Sequence, residues 1–324
     1  MKIVIAGAGS IGCYCGALLA AAGHRVTLLG RARILDPILT QGLTVTDFTG
    51  LRKTIPADHL ILSEDPGCLA DADLIIVTVK SGATAQMAKL IVDHASPQVP
   101  VLSWQNGLNN AQTLRAALPN RDVRAGMVPF NVVPVGQATY HRATSGEIII
   151  ETGPGALAEQ LTSADLPVQE SAEIETVQWG KLVVNLNNAL NALSGLTLHA
   201  QLRDRGWRRL MADQMAEALA VLKAADIPAA STTPLPVWIT PHILRLPTPL
   251  FTRIAAKMLT IDPSARTSMA YDVMAGRPTE IDSLQGEIIR LGAETGVATP
   301  LCTRVAGLIH EGNKTTLRPD QIRA

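Results

Sequence analysis

The chain opens on a short β-branched run, KIVIA at residues 2–6, followed by GAGSIG at 7–12 and an Ala/Leu-rich stretch that closes near Gly23. The run predicts a strand, the glycines a tight turn, and the apolar stretch a helix. RVTLL at 25–29 predicts a second strand and completes a βαβ unit, whose parallel strands need a right-handed crossover. Continuous apolar runs at 74–79 (LIIVTV) and 99–103 (VPVLS) predict buried strands, each followed by a helical pattern, at 82–94 and 109–117. This alternation implies a parallel sheet covered by helices on both faces.

Between Val123 and Glu151 the texture becomes β-rich, with Pro129, Pro134 and Gly136, and ends in EIIIE at 147–151. It reads as the finishing edge of the same sheet. From about Glu173 the pattern is helical, over 174–193, 207–225, 279–295 and 300–312. The expected architecture is therefore α/β: a Rossmann-type parallel-sheet domain over 1–168, then an all-helical domain over 169–324, with the boundary inside 165–172. Prolines 228, 234, 236, 241, 247 and 249 exclude one long helix there and predict an extended surface segment.

Charge narrows the partners. Lys plus Arg equals Asp plus Glu at 28 each among 324 residues, so no global field favours nucleic acid or an anionic membrane. The cysteines, Cys13, Cys15, Cys68 and Cys302, have no framework spacing, which predicts reduced thiols and a cytoplasmic protein. Cys13 and Cys15 lie two apart on a predicted helix and point different ways, with no Cys/His cluster following, so no metal is expected. Residues 3–23 carry no charge, as a signal peptide or membrane span would. Gly7, Gly9, Gly12 and Gly16 would each weaken a continuous helix by about 1 kcal/mol, whereas a strand, turn and helix use them.

GxGxxG alone is weak evidence, but here it follows a strand, opens a helix and precedes a second strand, the context of a dinucleotide fingerprint. In that reading Gly7 permits the tight turn, Gly9 lets backbone N–H groups approach a pyrophosphate, and Gly12 allows close helix packing. Ser10 and Ile11 offer the free N–H groups and positive end of the helix. Where NAD-binding proteins place an acid for the ribose 2′-hydroxyl, this chain has Gly30-Arg31-Ala32-Arg33. Guanidinium groups suit a 2′-phosphate, so NADP is expected over NAD. The plain alternative is a solvated arginine loop.

Further motifs recur in order: Lys80 in VTVKS, Asn106 in WQNGL, Lys181 and Asn185 in WGKLVVNLNNALNALSG, Ser268 in RTSMAYD, and Glu280 in GRPTEIDSLQGE. With GAGSIG they resemble the ketopantoate reductases (2-dehydropantoate 2-reductases) over residues 2 to about 313. The resemblance implies reduction of the 2-keto group of ketopantoate to the hydroxyl of pantoate with NADPH. It further implies Lys181 and Glu280 as catalytic residues, Glu280 acting from a distant helix. Asn106, Asn185 and Ser268 would contact substrate, with Asn188 a further candidate outside the family pattern, and Lys80 and Asn106 would contact the cofactor. One departure stands out: many members carry a substrate-contacting asparagine eight residues after the lysine, where this chain has Ala189, with Asn188 one place earlier.

The residue types suit the chemistry independently. Lys181 and Asn185 are i and i+4, so one helical face presents both to a small molecule. Hydride addition builds negative charge on a ketone oxygen, which an ammonium stabilises and then protonates. Lys80 and Asn106 follow strands at the carboxyl edge where open α/β sheets bind ligands. Taken singly, each has a bland reading: a snorkelling lysine, an Asn-Gly turn, a helix-start acid, a loop serine. The expected partner is a small 2-keto acid; the resemblance and the apolar helical half leave a homodimer open. Two alternatives remain, an NADP-dependent dehydrogenase or reductase of another 2-keto or hydroxy acid, and a non-catalytic NADP sensor. No HExxH, Walker-type GxxxxGK or GxSxG is present, which removes zinc-hydrolase, kinase and serine-hydrolase readings.

Overall fold

The computed structural model describes residues 1–231, 236–256, 262–312 and 316–323. The chain divides into two compact units, Met1–Glu175 and Thr176–Ala324.

In the first unit the elements run β1 (Lys2–Ala6), α1 (Ser10–Ala21), β2 (Arg25–Leu29), α2 (Ala32–Gln41), β3 (Leu43–Asp47), β4 (Arg52–Ile55), β5 (Leu60–Ser63), β6 (Leu74–Val77), α3 (Thr84–His94), β7 (Val101–Ser103), α4 (Asn109–Ala117), β8 (Val123–Met127), β9 (Val132–Gly136), β10 (Thr139–Arg142), β11 (Ile148–Glu151), α5 (Leu157–Leu161) and β12 (Val168–Ser171). An eight-stranded sheet has the order β12-β11-β8-β7-β6-β1-β2-β5. Its pairs are parallel except β8 with β11. Side chains alternate across a strand, so Ile3 and Ile5 enter the core on one face while Val4 and Ala6 enter the core on the other. Both faces are therefore apolar, which is why the strand runs read as continuous rather than alternating.

The finishing-edge expectation for 123–151 is corrected. Only β8 and β11 join the main sheet there, and β12 forms its edge; β9 and β10 belong to a second sheet ordered β4-β3-β10-β9. This small sheet shares a core with α1: Leu43, Val45, Ile55, Val132 and Tyr140 pack in the same cluster as Cys13, Tyr14, Leu18 and Leu19. Residues Gly12–Leu19 of α1 are consequently all buried. A helix covered on both sides has no use for a polar face, and this accounts for the charge-free stretch 3–23. The second sheet is pinned by a buried pair, Arg142 donating to Asp47 at 2.6 Å, with the guanidinium over the Tyr14 and Phe130 rings at 5.9 and 5.5 Å. Burial alone would raise the Asp47 carboxyl, but donors from Thr49, Arg142 and Leu51 outweigh it and hold it at about 2.

The remainder is helical: α6 (Ile174–Asn185), α7 (Asn187–Ser194), α8 (Leu198–Arg203), α9 (Arg205–Ala224), α10 (Thr240–Leu244), α11 (Thr248–Ile254), α12 (Ser268–Met274), α13 (Gln285–Thr295), α14 (Pro300–His310) and α15 (Pro319–Arg323). Three expectations change. The helix over 174–193 is interrupted at Leu186, and the one expected from 279 begins at Gln285. The proline-rich stretch is not simply extended: Pro241 and Pro249 sit in the first turns of α10 and α11, where the missing N–H costs nothing, and Val237, Pro241, Ile243, Leu244 and Phe251 are buried. Pro234 lies outside the described residues.

Arg208 of α9 organises this region. It is 1% exposed and spends all five N–H donors on Leu202, Leu244, Arg203 and Leu246 carbonyls and the Thr248 hydroxyl, at 2.9–3.2 Å. Its guanidinium lies 4.2 Å from the Phe251 ring centre. Among the described residues no helix is long and apolar enough to cross a membrane.

Candidate active site

In the first unit the candidate residues follow the ends of four neighbouring parallel strands, β7-β6-β1-β2. From β1 the chain returns to one side as β2 and to the other as β6, so the β1/β6 edge is the point where an open α/β sheet parts its loops. Gly7 there has φ +121°, and a side chain would lie 2.7 Å from the Val79 nitrogen. A Cβ on Gly12 would run into the Gly7 carbonyl oxygen and lie 2.7 Å from Thr78 Oγ1, which itself donates to that carbonyl at 2.6 Å. Gly9 is different, because a Cβ there meets nothing within 4 Å. No side-chain hydrogen bond caps α1 among the described residues, and the Ser10, Ile11 and Gly12 N–H groups of its first turn have no intrahelical acceptor. The turn is thus packed from behind at Gly7 and Gly12 and clear in front, a cradle that fits a pyrophosphate.

Arg31 is extended, at φ −99° and ψ 149°, and immediately precedes α2; Arg31 and Arg33 are both exposed. The α2 N–H at Ala32 is taken by Glu64 Oε2 at 2.9 Å. Lys80 is exposed and starts the short 3-10 turn Ser81–Ala83, three residues beyond the end of β6. Asn106 lies in the turn after β7, next to Gly107 at φ +87°. A polar network that sequence reasoning missed joins these loops. The Asn106 carbonyl accepts from Ser81 Oγ at 3.1 Å and Asn110 Nδ2 at 2.6 Å. Thr84 donates to Asn110 at 2.7 Å, and Gln105 donates to the Val79 carbonyl at 2.8 Å and to Thr84 at 2.7 Å. Isolated Asn, Gln and Thr residues gave no signal for it; only parallel pairing of β6 with β7 brings them together.

In the second unit Lys181 lies on α6 after Gly180, where a Cβ would overlap the Ala230 carbonyl oxygen. The irregular segment at 229–231 therefore crosses α6 at that glycine, and Ala230 N donates to the Thr176 carbonyl at 2.9 Å. After Glu175, which is exposed, and Thr176, which is half-open, most positions of α6 and α7 are buried, but Val177, Gln178, Lys181, Val184, Asn185, Asn188 and Ala192 are half-open. This is an i, i+4, i+7 stripe. Leu186 keeps right-handed helical dihedrals, φ −55° and ψ −27°, so the rotation carries through the interruption and Lys181, Asn185 and Asn188 fall within about 60° of one another at about 100° per residue; Ala189 is turned into the core with no exposed surface. The asparagine offset from the family position therefore still shares the lysine's face.

The asparagines divide into two kinds. Asn187 and Asn191 are buried and engaged: both donate to Gln201 Oε1, at 3.2 and 3.1 Å, and Asn191 Oδ1 accepts from Thr267 N at 3.0 Å. Those bonds dock α8 and the start of α12 against α7. Asn185 and Asn188 have no side-chain hydrogen bond among the described residues. Ser268 is the first residue of α12, half-buried, and its neighbour Thr267 caps that helix and donates to the Asn188 carbonyl at 3.1 Å. Ser268 is thus held beside Asn188, at a helix start rather than in a loop.

Glu280 is not on a helix. It precedes a turn in which Ser283 N donates to the Glu280 carbonyl at 3.1 Å and Gly286 N to the Ile281 carbonyl at 3.2 Å. Its carboxylate acts on Lys181: burial lowers the ammonium from its ordinary 10.5 to about 8, and Glu280 works against that fall. A lysine so placed is mostly cationic near neutrality yet gives up its proton far more readily than one in water, which is what a general acid needs.

A family model described as Ketopantoate reductase PanE/ApbA matches residues 3–155, and the model for its C-terminal part matches residues 173–313. The chain belongs to the ketopantoate reductase family. Its members are oxidoreductases acting on CH–OH groups. The chain is 26% identical over 319 residues to the 2-dehydropantoate 2-reductase of Halobacterium salinarum, covering 95% of this chain and 98% of that one. Among solved structures it is similar to a PanE/ApbA family ketopantoate reductase from Ralstonia eutropha JMP134, with TM-score 0.80 and 30% identity over the whole of both chains. It is also similar to 2-dehydropantoate 2-reductase from Geobacter metallireducens GS-15, with TM-score 0.80 and 25% identity over 97% of this chain and 100% of that one. This ketopantoate-reductase architecture agrees with the α/β sheet followed by helices expected from the sequence.

Proposed function

We propose that this family member reduces the keto group of a small 2-keto acid with NADPH, and that ketopantoate, giving pantoate for pantothenate synthesis in the cytoplasm, is its substrate. The first part of the chain, 1–168, would hold the cofactor and the second, 169–324, the substrate. The observation that carries this reading is Lys181, lowered by burial to about 8 and opposed by Glu280, on one stripe with two asparagine amides that have no side-chain hydrogen bond among the described residues.

The Gly9 cradle and the N–H groups of Ser10, Ile11 and Gly12 would bind the pyrophosphate, Arg31 the 2′-phosphate, and Lys80 and Asn106 the nicotinamide-side sugar and amide. When bound, the reduced nicotinamide supplies the hydride. Asn185, Asn188 and Ser268 would orient the carboxylate and hydroxyl of the keto acid. As the carbonyl carbon gains hydride, charge grows on its oxygen; the Lys181 ammonium stabilises it and transfers one proton, leaving alcohol and neutral amine. Glu280 keeps Lys181 charged and orients it.

A panel of 2-keto acids with NADPH, followed by loss of its absorbance, tests the reading. Ketopantoate should give the highest kcat/KM, and turnover should collapse in Lys181→Ala while NADPH still binds. Ala189, where many relatives of this sequence type carry asparagine, favours one rival, a reductase or dehydrogenase of another keto or hydroxy acid. That rival wins if a different acid exceeds ketopantoate in kcat/KM. A nucleotide sensor would bind NADPH and reduce nothing.

A further inference from the structure

Gln285 is fully buried at the first position of α13. Its Nε2 donates to the Leu186 carbonyl at 2.8 Å, while its Oε1 is buried with no partner among the described residues. Leaving a buried acceptor unsatisfied is costly, so an amide there is not explained by burial alone; the donor is what the site uses. Leu186 is the residue at which α6 gives way to α7, and a side chain bonded to a mid-helix carbonyl is a recognised cause of such a break. The break falls between Asn185 and Asn188. Gln285 is equally tied to Glu280, because the Ser283-to-Glu280 and Gly286-to-Ile281 backbone bonds close the intervening turn and Ile281 and Leu284 anchor it, each 2% exposed.

We propose that Gln285 is a positioning residue of the reductase site: through the Leu186 carbonyl it locks the turn carrying Glu280 against the helix face carrying Lys181, Asn185 and Asn188. This rests on the reductase reading for its consequence but not for its geometry. Glu280, on another element, is a carboxylate that holds the Lys181 ammonium up against desolvation. Loosening the turn withdraws that carboxylate, so the Lys181 ammonium becomes easier to deprotonate.

The test is Gln285→Met, which keeps the shape and removes the donor, compared with Gln214→Met, a buried glutamine elsewhere in the same unit whose amide also has unpaired atoms. Two curves are read on the full chain: kcat against pH, and the pH dependence of Lys181 acylation by acetic anhydride, followed by peptide mass spectrometry. In Q285M kcat should fall about tenfold or more, as for a slight misplacement of reacting groups, with NADPH affinity within about twofold of the parent. Both curves should move to lower pH, and in Q214M neither should move. Unmoved curves in a folded Q285M overturn the proposal, as does an equal movement in Q214M. If the methionine variant does not fold, Gln285→Leu is read in the same way. Acylation reports on Gln285 even if the parent reduces no keto acid, so that result would refute the reductase reading alone.

Discussion

Raising the pH from 7 to 9 is the most direct perturbation of the proposed acid. With Lys181 at about 8, about nine-tenths of the chains carry the ammonium at pH 7 and about one-tenth at pH 9, so kcat should fall roughly tenfold across that range. A lysine at the ordinary 10.5 would lose only about 3 per cent. The assay is kcat under saturating NADPH and keto acid, with NADPH affinity measured separately at each pH so that cofactor loss is not mistaken for proton loss. Glu280→Gln supplies the sign. Glu280 raises the lysine's value against desolvation, so its neutralisation should move the alkaline limb to lower pH. Lys181→Ala should cost about 10²- to 10⁴-fold in kcat, the usual worth of a positioned acid. A parental limb at pH 10 or above, or a limb that rises in Glu280→Gln, would refute the assignment.

Arg31→Ala should weaken NADPH binding by about 10- to 100-fold, the worth of a charge-assisted bond, and leave NADH within about twofold; calorimetry giving equal losses would remove Arg31 from the 2′-phosphate. Arg208→Met should lower stability to urea by about 3 kcal/mol or more, since five acceptors around a buried guanidinium lose their donors; a loss under about 1 kcal/mol would contradict it. Asp47 sits below its unfolded value of 3.8 at about 2, so it stabilises the fold above pH 4, and that contribution fades as pH falls through 2. It amounts to about 2 kcal/mol, and the acid unfolding midpoint of Asp47→Asn should show correspondingly less pH dependence over that window.

Much of the nucleotide half was legible in the residues because its signals are local. A β-branched run, glycines that must avoid Val79 and Thr78, and a helix beginning at Ser10 are adjacent in the chain, and strand spacing followed from apolar runs buried on both faces. The second sheet escaped notice because β3, β4, β9 and β10 are short, partly polar strands, and the two local pairs β3-β4 and β9-β10 become one sheet only where β3 meets β10, 95 residues along the chain. Its trace was present in α1, a helix with no charge, but that pattern says only that the helix is covered, not by what.

The helical half divides along the same line. The i, i+4 spacing of Lys181 and Asn185 is a property of the sequence, since helical periodicity alone puts them on one face. That Asn188 stays half-open while Asn187 and Asn191 dock α8 and α12, that burial brings the Lys181 ammonium down toward neutrality, and that Glu280 acts on Lys181 while Gln285 at the start of α13 bonds the Leu186 carbonyl, were decided by tertiary packing. Charge state and hydrogen-bond partnership depend on what lies within a few ångströms, and residues 95 to 100 positions apart along the chain carry no local signal that they will be neighbours.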